Sequence, residues 1–186
     1  MAEDLKHVWV IIAALHSHSP SLCLRFLISS MTAYTVRPAT PKDANAVAEI
    51  HAAVAKTPKR LDIWRDAIEY GEPQVVVVLE GGTIIGFAGF DRSRDPGSKN
   101  TVGELWAIYV LPSHWGTGAG LMLWDAAREG LEEEGCTQVT VWVPLNEDRA
   151  LRFHELAGFK RELSSARTVS AGAVRIEEIR LKRAIT

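Results

Sequence analysis

Val110-Leu111-Pro112-Ser113-His114-Trp115-Gly116-Thr117-Gly118-Ala119-Gly120-Leu121 is the stretch on which the fold turns. Apolar residues run up to a proline, three glycines follow at alternate positions, and an apolar, alanine-rich segment begins behind them. Proline cannot continue a ladder, so the strand stops there. Glycines let backbone N–H groups approach an anion closely, and the first turn of the helix behind them carries partial positive charge. Strand, glycine turn and helix in this order suit a pyrophosphate. The Gly-Lys-Ser/Thr ending of a P-loop is missing, and no βαβ unit opens the domain as a dinucleotide fold would require. Taken alone, the turn serves equally well as a structural cap.

Outward from the turn, Thr101–Val110 reads as the strand that feeds it, and the helix behind it runs to about Glu134 and stops at Gly135. Thr137–Val143 is β-branched and reads as a strand. Asn146 is placed to cap the next helix, with Glu147 and Asp148 in its first turn and Gly158 at its end. Phe159–Leu163 and Val174–Arg183 then complete a sheet. Toward the N-terminus, Tyr34–Arg37 is a short strand. Thr40, Pro41 and Asp43 form a capping box ahead of a helix whose buried face is Ala44, Val47, Ala48, Ile50 and Val54. Pro58 breaks that helix, and Leu61–Tyr70 forms a second. Gln74–Glu80 and Thr83–Asp91 flank Gly81-Gly82 as an antiparallel hairpin. Arg92–Asn100 is a polar loop. The order β-α-α-β-β-β-α-β-α-β-β is that of an α/β domain with helices on both faces of one sheet.

The turn has company. Asn146, Arg149, Ala150 and the run Phe153-His154-Glu155-Leu156-Ala157-Gly158-Phe159 follow it, across a strand that ends Trp142-Val143. With Val110-x-Pro112 ahead of the glycines, this resembles the GCN5-related N-acetyltransferase (GNAT) family over residues 34–183. The resemblance implies a mixed, mostly antiparallel central sheet, acetyl-CoA as cosubstrate and transfer to an amine. It implies a cradle for the CoA pyrophosphate from the backbone of Gly116, Thr117, Gly118, Ala119, Gly120 and Leu121. It also implies that the strand ends around Ile108, Tyr109 and Val110 and around Trp142–Val143 splay apart to admit pantetheine, with Asn146 touching the cofactor and N–H groups near Ile108–Val110 serving the oxyanion.

Two positions depart from the family pattern. Trp115 stands where Arg or Gln usually opens the turn, either covering the cofactor or packing on the helix. His154 stands where Tyr usually protonates the departing thiolate. A histidinium could make that donation; a solvated, uninvolved helix residue is the other reading. Tyr109 is a further donor in principle, though its strand position favours packing.

Acetyl transfer needs a neutral amine, and a carboxylate near the amine, directly or through water, removes its proton. Glu104 falls where many family members carry a general-base glutamate. Simple alternation puts Glu104, Trp106, Ile108 and Val110 on one face and Leu105, Ala107 and Tyr109 on the other. Catalytic expectations therefore rest on Glu104 and His154. Arg60, Trp64, Arg92, Arg94 and Asp95 are candidates on the acceptor side. Loss of both the usual Arg and the usual Tyr leaves a second reading, an acyl-CoA-binding module without turnover.

The rest of the composition sets bounds. The chain has 186 residues, a formal net charge of −2, 47% hydrophobic and 24% charged residues, which is globular and excludes a strongly basic nucleic-acid binder. Cys23 and Cys136 are isolated, so neither a zinc site nor a disulfide framework is expected, and the cytoplasm is the expected compartment. The apolar run Val8–Leu15 is far short of the roughly 20 residues a membrane helix needs. It lies within residues 1–30, which read as an extension to a domain at 31–186; acidic Glu3 and Asp4 and the lack of a small-x-small site disfavour a signal peptide. His16 and His18 lack further ligands, and no metal is expected. The expected partners are a small-molecule amine or a protein N-terminus, with a homodimer allowed and no nucleic acid or membrane.

Overall fold

A computed structural model of the chain describes residues 34–171 and 174–185; the proposed extension and its histidines lie outside them. Eight strands form one sheet in the order β1-β2-β3-β4-β5-β8-β6, with β7 paired to β8. The strands are β1 Tyr34–Pro38, β2 Gln74–Glu80, β3 Thr83–Arg92, β4 Val102–Val110, β5 Gln138–Pro144, β6 Lys160–Arg161, β7 Arg167–Ala171 and β8 Val174–Ala184. All described pairings are antiparallel except β4 with β5. The helices are α1 Ala44–Ala55, α2 Leu61–Tyr70, α3 Ala119–Glu133 and α4 Asp148–Leu156.

Helices cover both faces, as expected. Val47, Ile50 and Val54 of α1 and Trp64 of α2 pack with Val75, Val77, Phe87 and Tyr109 on one face. On the other, Leu123, Trp124 and Leu131 of α3 join Leu151 of α4 and Ile108, Val141 and Leu181 of the sheet. The Thr40 box forms: the Asp43 carboxylate accepts the Thr40 backbone N–H at 2.7 Å and is clamped by Arg37 at 2.6 Å. Gly103 lets α3 sit tight on the sheet, because a Cβ there would lie 2.7 Å from Leu131 Cδ2.

The last third differs from the alternation read in the sequence. The stretch expected as one strand, Phe159–Leu163, contributes only Lys160–Arg161; a helical turn at Leu163–Ser165 follows, and β7 is an added strand. It is short, with only Val169 and Ala171 apolar, and it pairs only with β8 at the margin of the sheet.

Candidate active site

Two irregularities in β4 build the site. β4 and β5 pair only at Val102–Glu104 against Gln138–Thr140. Beyond Glu104 the two strands separate, which opens the sheet where the resemblance requires it. The second irregularity is a bulge. Gly89 of β3 faces Ala107 and Phe90 faces Leu105, so Trp106 has no opposite residue. An extra residue flips the side chains on one side of it relative to simple alternation. Leu105 therefore shares the α3 face with Ile108 and Val110, while Ala107 and Tyr109 face α1. Gly103 also faces α3, so Glu104 points to the opposite face. The expected grouping of Glu104 with Ile108 and Val110 is thus corrected by the bulge.

Glu104 is 9% exposed. Its Oε2 accepts the Arg94 backbone N–H at 3.1 Å, and the Arg94 guanidinium stands 3.9 Å from Oε1. Burial pushes the Glu104 carboxyl up from its ordinary value, and Arg94 partly restrains it. The Arg94 guanidinium stands over the Trp106 ring, 3.0 Å from its centroid. Next to it, Asp95 anchors the loop: Trp142 Nε1 donates to its carboxylate at 3.1 and 3.2 Å, and Arg180 donates at 2.7 Å. Arg167 stacks on Trp142 at 3.5 Å and pairs with buried Glu178 at 2.6 Å. Of the acceptor-side candidates, Arg94 and Asp95 come together here. Trp64 is core, donating to His51 Nδ1 at 3.1 Å. Arg92 binds the Asn100 and Glu134 carbonyls, and Arg60 lies near Asp62 at the surface. Trp106, Arg167 and Arg180 were not singled out as site residues from the sequence, and Trp142 was named only as part of a splayed strand end. Their signal was weak: Trp106, Trp142, Arg167 and Arg180 stand on four different strands, and nothing in any one strand marks them as partners.

At the glycine turn, Gly116 and Gly118 have φ of 74° and 96°, a conformation side chains resist. Gly118 caps α3, and a Cβ on it would meet open space. Its hydrogen is therefore needed for conformation and access, and not for packing. The first N–H groups of a helix have no acceptor within it. Leu121 and Met122 both return to the Gly118 carbonyl, at 3.0 and 3.1 Å, so the open donors end at Gly120, short of the expected Leu121. Trp115 does pack: its Nε1 donates to the Val110 carbonyl at 2.7 Å, and its ring rests against both cores. Ile108, Tyr109 and Val110 have buried side chains, which leaves their backbone as the only part a ligand in the opening could meet.

Two expectations on α4 need correction. Asn146 does not cap it, because the helix begins at Asp148 with Glu147 in the cap position. Asn146 is exposed and lines a cleft of about 500 Å³ with Leu145, Thr168, Arg175, Ile176 and Glu177. His154 is neither solvated nor poised to donate. It is fully buried against Phe153 and Phe159. Its Nδ1 lies 2.8 Å from the Ala150 carbonyl, an oxygen that can only accept, so Nδ1 carries the proton. Burial pushes the ring down to about 4, so at neutral pH Nε2 holds a lone pair and no proton. The spacing held the clue: Ala150, Leu151, His154 and Ala157 form one helical stripe.

A family model described as Acetyltransferase (GNAT) family matches residues 43–159. The chain belongs to the acetyltransferase (GNAT) family. The match begins at Asp43 and ends at Phe159, spanning Glu104, the turn and α4. Among similar proteins, the uncharacterized N-acetyltransferase YuaI of Bacillus subtilis is 27% identical over 161 residues, 79% of this chain and 91% of its own. The uncharacterized N-acetyltransferase Rv2669 of Mycobacterium tuberculosis is 30% identical over 99 residues, 53% of this chain and 59% of that protein. An N-acetyltransferase from Staphylococcus aureus Mu50 superposes with a TM-score of 0.70 at 19% identity, over 83% of this chain and 99% of that one. YncA of Salmonella typhimurium, solved with its cofactor acetyl-CoA, gives 0.67 at 22% identity, over 82% and 94%. These likenesses agree with the mixed, mostly antiparallel sheet. Among the described residues no cluster of three potential metal ligands occurs and no helix is long and apolar enough to cross a membrane.

Proposed function

We propose that this GNAT enzyme moves an acetyl group from acetyl-CoA directly to a primary amine, on a small molecule or a protein N-terminus, with Glu104 as the general base. The observation that carries the reading is Glu104 itself: a buried carboxylate, raised by desolvation, on the strand where β4 leaves β5. The residues fit the cosubstrate. Open N–H groups at Gly118, Ala119 and Gly120 suit a diphosphate, and the gap between β4 and β5 leaves backbone groups for an amide-bearing arm. Asn146, at the end of β5, is the expected side-chain contact. Acetyl-CoA supplies an activated thioester carbonyl.

The chain's own part is proton and charge management. Glu104 takes the ammonium proton, directly or through water. A carboxylate at its ordinary value would be a feeble base; desolvation strengthens it. β4 beyond the bulge offers N–H groups to the developing oxyanion. His154 has no proton to give at neutral pH, so the thiolate leaves unassisted or takes its proton from water.

The test is release of free thiol from acetyl-CoA against a panel of amines, run beside a thermal-shift titration with acetyl-CoA. Binding should raise the melting temperature by mass action, and at least one amine should release thiol. Gly118→Asp should abolish the shift, because it forces a side chain into a left-handed backbone and sets negative charge beside the diphosphate. Binding without thiol release for any amine would favour the non-catalytic module. No shift at millimolar acetyl-CoA would end the cosubstrate assignment.

A further inference from the structure

The turn lacks the Arg or Gln side-chain donor that the family pattern places at position 115, yet the structure brings a cation to Trp115 from another element. Arg149, in the first turn of α4, lays its guanidinium over the Trp115 ring, 4.0 Å from the centroid. Trp115 is a fixed platform, because its Nε1 is held by the Val110 carbonyl at 2.7 Å and its ring is wedged against both cores. Stacking occupies the face of a guanidinium and leaves its edge donors available. Arg37, Arg128, Arg167 and Arg180 are each held by a carboxylate within 3 Å. Arg149 has no carboxylate in ion-pair range among the described residues, and it is only half-buried. It is a cation without a carboxylate partner among the described residues, set over the residue that precedes Gly116.

We propose that Arg149, held over the Trp115 ring, is the side-chain contact for the diphosphate of CoA, replacing from α4 the side-chain donor missing at position 115. The inference rests on the acetyl-CoA reading above. It explains why an aromatic residue can stand at the mouth of an anion site. The indole offers no charge, but it orients one, and a guanidinium so oriented loses less freedom on binding than a free side chain. It also couples α3 to α4, since a ligand on Arg149 touches both helices flanking the opened strands.

Calorimetric titration separates this from its alternatives. Acetyl-CoA, dephospho-CoA and acetyl-pantetheine are titrated into wild type, Arg149→Ala, Arg149→Lys and Trp115→Leu, with unliganded melting curves confirming folding. Arg149→Ala should weaken acetyl-CoA about tenfold, the scale of one charge-assisted contact. The loss should persist with dephospho-CoA and vanish with acetyl-pantetheine, which has no diphosphate. Trp115→Leu should lose a similar factor with Arg149 still present, Arg149→Lys should fall between, and Trp115→Arg placed in Arg149→Ala should restore affinity. Wild-type affinity in Arg149→Ala overturns the proposal, and so does a loss that disappears with dephospho-CoA, which would assign Arg149 to the 3′-phosphate. Failure of wild type itself to bind acetyl-CoA overturns the cosubstrate reading on which the proposal rests.

Discussion

Glu104 and His154 are both buried, both titratable and both occupy positions at which the family pattern places catalytic groups, yet burial does opposite things to their usefulness. Desolvation disfavours the charged form of each. For Glu104 that raises the carboxyl and makes its anion a stronger base. For His154 it lowers the imidazolium to about 4 and removes the acid that the role requires. Their surroundings differ in kind as well. Glu104 faces Arg94, with its N–H and guanidinium, at the opening of the sheet. His154 faces Phe153, Phe159 and its own helix carbonyl. A low-dielectric setting is compatible with catalysis where polar partners hold a useful charge state, and it silences a group whose one polar partner, the Ala150 carbonyl, is outweighed by burial.

The largest expected effect breaks the comparison at its active end. Glu104→Gln keeps shape but cannot take a proton, and loss of a general base typically costs about 10²–10⁴-fold in rate. Wild-type kcat/KM should rise with pH along a limb set above the ordinary carboxylate range; the variant should lack that limb. The gap should close as the amine begins to deprotonate itself, near about 8 for a protein N-terminus and about 10 for a lysine-like amine. The crossing pH therefore also reports the acceptor class. A variant turning over at the wild-type rate at neutral pH would clear Glu104 of the role.

Next in size is the stability effect of burying histidines. His51 and His154 both sit at about 4 when folded, against roughly 6.5 when unfolded. Between those values the unfolded chain takes protons that the folded chain refuses, so stability falls as pH drops from about 6.5 and the loss is complete below about 4. Each site withholds roughly 3 kcal/mol at that limit. His154→Phe should remove about half of the acid-induced fall in melting temperature, while turnover at neutral pH stays near wild type and no descending alkaline limb is lost. A large drop in turnover, rescued by His154→Tyr, would reinstate a proton donor at this position.

Much of this was legible because it is local. The capping box at Thr40, the hairpin at Gly81-Gly82 and the helix ending at Gly71 need only neighbours along the chain, and so does the strand–glycine–helix signature. Glu104 was legible as a base candidate, but its face was not. One unpaired residue, Trp106, reverses the alternation, and a bulge is a relation between two strands that a single strand's pattern does not contain. Asn146 was misread as a cap because Asn favours that position wherever a helix starts nearby, and α4 starts two residues later. The Asp95–Trp142–Arg180 cluster joins the loop after β3 to β5 and β8, a contact across 85 positions that only the folded sheet creates.

The smallest effect sharpens what restrains Glu104. Arg94 lowers its carboxyl and Asp95 raises it, so the two neighbours should move the ascending limb of kcat/KM in opposite directions. Arg94→Met keeps the aliphatic stem over Trp106 and removes the cation, so the limb should move to higher pH. Asp95→Asn keeps an acceptor for Trp142 Nε1 and removes the anion, so the limb should move to lower pH. Each displacement should stay under about one pH unit, the size expected for a partly screened neighbour, with plateau rates reduced several-fold at most. A loop that acted only as a scaffold would lower the rate in both variants and leave the limb in place. Opposed displacements would show that the charges around the bulge tune the base, and that β4 carries its catalytic group to a place where burial alone does not decide its strength.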